Sequence, residues 1–210
     1  MAAETPETAL YPDIRDPRVM VAVPRERRPA VTTLWALAER LTRLLRDARE
    51  PLIGQIKLAW WRDMMVVLAD DPAALPKGEP LLADLQASWA GQGGLDAIVD
   101  GAEAMLLAEN AAARRDAGAG FGAALFRLSG GDGGERWGLF WAAGLQEGAE
   151  EAKALFADVR AWPRPSRAVF EGNRALLMLD RWAAAIAGRD GERHWRREGG
   201  LLFRIGLIGR

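Results

Sequence analysis

Apolar residues recur every three or four positions along most of the chain, with charged residues between them. This period is that of an α-helix with one buried face. No stretch shows the two-residue alternation typical of a strand. The pattern therefore predicts an all-α protein, a single-domain bundle of roughly six to eight helices around one core. The first clear helix starts near Ala30, and its apolar positions are Val31, Leu34, Trp35, Ala38, Leu41, Leu44 and Leu45.

Proline predicts where the next helices start. Pro51 opens a second helix that runs to about Leu68, because proline fits the first helical turn without losing a hydrogen bond. Pro80 opens a shorter one in the same way. The predicted inward stripe of the second helix consists of Ile53, Ile56, Trp60, Met64 and Val67.

The later helices are predicted from longer apolar patterns. Leu95 to about Asp116 is predicted as one long helix, after which Gly118, Gly120 and Gly122 interrupt the helical pattern. Phe121, Leu125, Phe126 and Leu128 suggest another helix. Residues 136–159 are predicted as another helix. Ser166 is predicted to cap a last one that reaches about Ala187.

The two ends of the chain differ from its helical middle. Residues 1–29 are rich in proline and predict an N-terminal arm, whereas residues 30–190 form the predicted bundle. Residues 191–210 are a tail in which arginines such as Arg196, Arg197 and Arg204 mix with apolar residues. The tail suits peripheral contact with a membrane, contact with a protein partner, or docking on the bundle. Its glycines disfavour an isolated helix.

Composition excludes several kinds of chemistry. The chain of 210 residues has no cysteine and one histidine, His194, which we expect at the surface. Disulfides, thiolate catalysis and multi-histidine metal sites are therefore excluded. Basic and acidic residues nearly balance, 28 against 29, which disfavours nucleic acid as a partner. With no predicted transmembrane span and no signal-like N-terminus, we expect a cytoplasmic protein, with membrane association left open.

The most distinctive segment is EPLIGQIKLAWWRDMM, residues 50–65. Adjacent helical residues point about 100° apart, so we expect one of its two tryptophans in the core and the other at the rim. We expect Arg62 and Asp63 to be solvated or salt-bridged. The segment resembles the squalene/phytoene synthase family in Glu50, Pro51, Leu52, Ile56, Leu58, Trp60, Trp61, Arg62 and Asp63, while Lys57 stands in place of arginine.

Other segments resemble the same family in the same order along the chain. They are residues 16–41 with Arg28-Pro29, residues 95–107 with Asp100-Gly101, and the glycine-rich stretch 118–130. The resemblance implies a shortened isoprenoid synthase fold. It also implies that an active member would hold Mg²⁺ and diphosphate between two helices that each carry an Asp-x-x-x-Asp motif.

Both of these motifs are missing where the resemblance places them. The first core helix has only Glu39 and Asp47, and residues 137–159 have glutamates but no aspartate pair. The resemblance therefore favours a non-catalytic binding or assembly scaffold without a cofactor, similar to the family's complex I assembly factor branch. Two alternatives stay open. One is a Mg²⁺-dependent transferase that condenses prenyl diphosphates, and the other is a bundle that binds a lipid or polyprenyl chain.

Two further sets of residues are candidates for a site. Asp96 and Asp100 have the spacing that places two carboxylates on one helix face, although Asp96 also suits the positive end of its helix. Arg40, Arg43 and Arg46 either form a solvated face offset by nearby acids or bind phosphate or an acidic partner.

Overall fold

The structure, a computed structural model, describes residues 11–208. Across this range the chain forms α-helices and short 3-10 turns without a strand, so the predicted all-α class is confirmed. The helices are α1 Pro17–Met20, α2 Arg28–Asp47, α3 Pro51–Asp70, α4 Pro80–Trp89, α5 Asp96–Leu106, α6 Ala111–Leu128, α7 Glu135–Gly144, α8 Ala149–Ala161, α9 Arg174–Ala187 and α10 Trp195–Ile208.

The two starts predicted from proline are correct. Pro51 and Pro80 are the first residues of α3 and α4. At α4 the side chain of Glu79 accepts a hydrogen bond from the Leu81 N–H, which satisfies one of the donors that a helix start leaves free.

The predicted helix from Leu95 to Asp116 is wrong in two respects. It ends at Leu106, and α6 begins at Ala111 after Asn110, whose side chain accepts a hydrogen bond from the Ala113 N–H at 2.9 Å. The three glycines at 118, 120 and 122 do not interrupt a helix, since all three lie inside α6. Asparagine is a strong capping residue, and this signal outweighs the apolar period across the break.

Two later boundaries also differ from the prediction. Residues 136–159 form two helices, because α7 ends at Gly144 and α8 starts at Ala149. Ser166 precedes a short 3-10 turn, and α9 starts only at Arg174. The side chain that caps α9 is that of Asn173.

Glycines let α6 and α7 cross with their backbones in contact. Gly118 and Gly122 lie on one face of α6, and they meet Gly134 and Gly138 at the start of α7. A Cβ added at Gly122 would collide with the backbone of Gly134 and Gly138, and one at Gly138 would collide with the backbone of Gly118. The glycines are therefore needed for the approach of the two helices.

Aromatic rings fill the centre of the bundle around this crossing. Phe121 of α6 stacks on Trp141 of α7 with ring centroids 3.9 Å apart, and Trp35 of α2 meets Trp137 edge-on at 5.0 Å. All four side chains are fully buried. The indole N–H groups of the two α7 tryptophans donate hydrogen bonds, Trp137 to the Pro12 carbonyl at 2.7 Å and Trp141 to the Thr42 hydroxyl at 2.9 Å.

Both ends of the described chain pack on the bundle. Near the start, Ile14, Val19 and Val23 are buried in the core. At the other end, α10 lies against α9 and α1 and buries Leu202 and Ile205. Residues 195–208 of the tail therefore form a docked helix, and packing offsets the low helix propensity of its glycines.

We expect Gly122→Ala to destabilise the protein by about 1–3 kcal/mol, because a methyl group would force α6 and α7 apart. Gly120→Ala is the matched control, since Gly120 is exposed on the same helix and faces open space. The control should be neutral or stabilising by up to about 1 kcal/mol. Urea unfolding measures both changes, and equal effects of the two substitutions would contradict the close crossing.

Candidate functional site

The motif segment 50–65 forms the first four turns of α3. Trp61 is 3% exposed and Trp60 is 40% exposed, which is the core-and-rim arrangement expected from their adjacency. Glu50 flanks the helix and Pro51 begins it. Arg62 donates from Nε to Asp100 at 2.7 Å and also binds Glu103, so this arginine ties α3 to α5. Asp63 is exposed.

The apolar stripe of α3 that the sequence predicted to be buried lies largely at the surface. Ile53, Ile56 and Trp60 are exposed, and Leu52 lies beside them. Apolar residues occupy two adjacent stripes of this helix, and periodicity alone does not distinguish them. The structure buries the stripe one residue later along the chain, which consists of Gly54, Leu58, Trp61, Met65 and Leu68.

The aspartate pair on α5 is a surface feature. Asp96 lies in the first turn, and Asp100 is exposed and paired with Arg62. Hydrogen bonds from Arg62 to Glu103 and Asp100 raise the pKa of the Arg62 guanidinium. Within residues 11–208, no group of three or more acidic or histidine side chains is placed to hold a metal ion.

The candidate arginines of α2 are engaged with acids. Arg40 pairs with Glu79 of the segment before α4 at 3.0 Å and lies over the ring of Trp61. Arg43 pairs with Glu39 one turn earlier. Arg46 is exposed near the end of the helix. Arg40 and Arg43 therefore balance local carboxylates.

A second set of arginines, from the other end of the chain, surrounds a cavity of about 280 Å³. It opens between α7, α9, α10 and the loop that precedes α9, and we call it the arginine cavity. Its apolar walls include Leu177, Leu201 and Ile205. Its arginines are Arg136, Arg164, Arg167, Arg181 and Arg204.

A buried ion pair adjoins this cavity. Arg136 is 6% exposed and binds Asp180 with two hydrogen bonds, Nε to Oδ1 at 2.9 Å and Nη2 to Oδ2 at 2.8 Å. Arg181 donates to the same Oδ2 at 2.6 Å and to the Pro165 carbonyl at 2.8 Å. Both oxygens of Asp180 are thus occupied.

The arginine cavity is strongly positive. Burial lowers the pKa of Arg181, and the nearby cations Arg164, Arg136 and Arg167 lower it further, while Asp180 acts in the opposite direction. Arg164, Arg167 and Arg204 are exposed and form no ion pair with any residue between 11 and 208. Three guanidinium groups therefore remain open to an anion from solution.

The outer face of α10 combines apolar and basic side chains. Phe203 and Leu207 are 70% and 68% exposed, and they border an apolar groove of about 480 Å³ against the end of α1. Trp195 and Ile208 are exposed as well. The basic residues exposed on the same helix are Arg196, Arg197 and Arg204.

The acidic residue of α10 points inward. Glu198 is buried and accepts hydrogen bonds from the Trp182 indole at 2.8 Å, from Arg193 and from the His194 N–H. Burial alone would raise its pKa, but these donors outweigh burial and lower the pKa below its ordinary value of 4.5. The carboxylate thus anchors α10 to α9. The side chain of His194 is 38% exposed, which agrees with its expected place at the surface.

Sequence reasoning missed the arginine cavity because its members are dispersed. Along the sequence, Arg167 falls in the helix predicted to follow Ser166, and Arg204 falls in the tail, so no spacing links the two residues. The proline on each side of Arg164 was the available signal, because prolines fix the backbone that carries this arginine.

Comparison of the chain with protein-family models, with curated proteins and with solved structures finds no match. The resemblance to the squalene/phytoene synthase family therefore rests on the sequence segments quoted above. In the part of the chain that the structure describes, no helix is long and apolar enough to span a membrane.

We expect Asp180→Asn to destabilise the protein by about 3–5 kcal/mol, because it leaves the buried Arg136 without a counter-charge. Asp100→Asn is the matched control, since it removes the same charge from an exposed ion pair and should cost less than about 1 kcal/mol. Thermal unfolding of both variants measures the difference. A cost below 1 kcal/mol for Asp180→Asn would contradict the structural role of the pair.

Proposed function

We propose that this protein is a non-catalytic binding scaffold, a divergent relative of the squalene/phytoene synthases, that attaches to an anionic membrane surface. The observation that carries the proposal is the outer face of α10. There, Phe203 and Leu207 stand exposed beside Arg196, Arg197 and Arg204, and the helix's carboxylate is turned inward. Peripheral attachment requires no spanning helix.

Charge and shape favour an anionic lipid surface as the occupant of this face. Apolar side chains of an amphipathic helix enter the acyl boundary, and arginines beside them bind lipid phosphates. Val21, at the end of α1, is exposed next to the same groove, and Arg18 lies at its border. The membrane-facing patch therefore extends across two helices that come from opposite ends of the described chain.

The interior of the bundle supports a role without catalysis. The centre, where a prenyl chain would have to lie, is filled by buried rings such as Phe121, Trp137 and Trp141. Asp100 is bound to Arg62 at the surface and lies on a different helix from these rings. These contacts favour the scaffold over a prenyl transferase and over a bundle that encloses a polyprenyl chain.

We expect the purified protein with Mg²⁺ to leave farnesyl diphosphate unchanged, because residues 11–208 place no group of three or more acidic side chains to hold the metal and the diphosphate. Product analysis after long incubation tests this. Turnover that Asp100→Asn abolishes would contradict the proposal and would establish the transferase alternative.

We expect Phe203→Ser combined with Leu207→Ser to weaken binding to vesicles that contain phosphatidylglycerol by at least about tenfold, because each side chain loses apolar burial in the lipid. Vesicle sedimentation measures the bound fraction. The matched control is Ile53→Ser with Ile56→Ser, which removes two exposed apolar residues from α3.

The control variant and the wild-type protein should bind the vesicles equally well, and neither should bind neutral phosphatidylcholine vesicles strongly. Equal losses in both double variants would show non-specific adsorption. Undiminished binding by the α10 variant would contradict attachment through this helix.

A further inference from the structure

We propose that the arginine cavity is a binding site for a phosphate-bearing anion, with the size of a phosphate monoester or a diphosphate group. The site goes beyond the proposed function, which uses the outer face of α10 and shares only Arg204 with the cavity. The observation behind it is a convergence of five arginines on one small concave space.

The arginines come from four separate parts of the fold. Arg136 belongs to α7, Arg181 to α9 and Arg204 to α10, while Arg164 and Arg167 come from the loop before α9. A solvated charge stripe lies along one element, whereas these side chains meet only in the folded protein. Such convergence is typical of a recognition site.

The cations of the cavity are not balanced from within the protein. Asp180 binds only two of them, because both of its oxygens are already taken by Arg136 and Arg181. The residues that line the cavity include no acidic side chain in the described part of the chain. Like charges at close range repel one another, so an anion bound from solution would reduce the electrostatic repulsion among these arginines.

The local geometry suits phosphate oxygens. The guanidinium group is a planar fork that binds two oxygens at once, and a phosphate presents several oxygens to several forks. Arg181 is held in place by Asp180 and the Pro165 carbonyl. Arg164 stands between Pro163 and Pro165, whose rings restrict its backbone. These restraints reduce the entropy lost when an anion binds.

The size of the cavity limits the ligand. At about 280 Å³ it falls just below the range of roughly 300–1,000 Å³ that holds drug-sized molecules. The apolar walls, which include Leu177 and Leu201, lower the local dielectric and strengthen the attraction of an anion. The cavity therefore fits a phosphate or diphosphate group better than a whole nucleotide.

Calorimetric titration with inorganic pyrophosphate tests the site directly. We expect measurable binding to the full-length protein. We expect Arg164→Gln with Arg167→Gln to weaken binding by at least about tenfold, because two charge-assisted contacts are lost. Arg25→Gln with Arg49→Gln is the matched control, since it removes two exposed arginines that do not line the cavity. The control should bind within about twofold of wild type.

A stability measurement provides an independent test. Because the cations repel one another, Arg164→Gln with Arg167→Gln should raise the melting temperature in a phosphate-free buffer of low ionic strength. Added pyrophosphate should raise the melting temperature of the wild type more than that of the variant. A lower melting temperature of the variant together with unchanged binding would overturn the proposal.

Vesicles distinguish a free phosphate from a lipid headgroup. If the natural ligand is a free phosphate compound, soluble pyrophosphate binds to the wild type, and the Arg164/Arg167 variant keeps its affinity for phosphatidic acid vesicles. If the source is a headgroup, that variant loses affinity for phosphatidic acid vesicles as well. Binding of neither probe to the wild type would overturn the site.

The two proposals fail separately in these experiments. The Phe203→Ser, Leu207→Ser variant should retain pyrophosphate binding, because neither residue lines the arginine cavity. Failure of vesicle attachment with intact pyrophosphate binding would overturn only the membrane proposal, and the reverse result would overturn only the cavity.

Discussion

The close crossing of α6 and α7 is the constraint on which the rest of the structure depends. Four glycines allow the two backbones to touch, and α7 thereby lies deep enough for Trp137 and Trp141 to meet α2 and α6. The same depth carries Arg136 into a buried position beside α9, where it binds Asp180. A wider crossing would move the aromatic core and the wall of the arginine cavity together.

The sequence predicted the helical class and several helix starts because these depend on local signals. Proline at the first turn fixed the beginnings of α3 and α4 correctly. The glycines of α6 were interpreted as breaks, although they are contact residues, because glycine has the same local signature in both roles. The predicted buried stripe of α3 lay one residue too early along the chain. Two adjacent stripes of this helix are apolar, and only tertiary packing decides which of them is buried.

The candidate sites also depend on contacts between helices, which the sequence does not reveal. The spacing of Asp96 and Asp100 is visible along the chain, but the ion pair of Asp100 with Arg62 is not, because Arg62 comes from another helix. Arg40 and Arg43 were weighed between a solvated face and an anion site, and the structure pairs both with glutamates. The arginine cavity has no signature in spacing, because its members are brought together by the packing of α7, α9 and α10.

The contact between α1 and α10 joins the first described helix to the last, with nearly the whole fold between them. During synthesis α1 emerges from the ribosome before α10, so the contact between them forms only after α10 has been made. The groove between these helices, with Val21 on one side and Phe203 on the other, therefore needs both helices in place. A nascent chain in which α10 has not yet docked on α1 therefore lacks this surface.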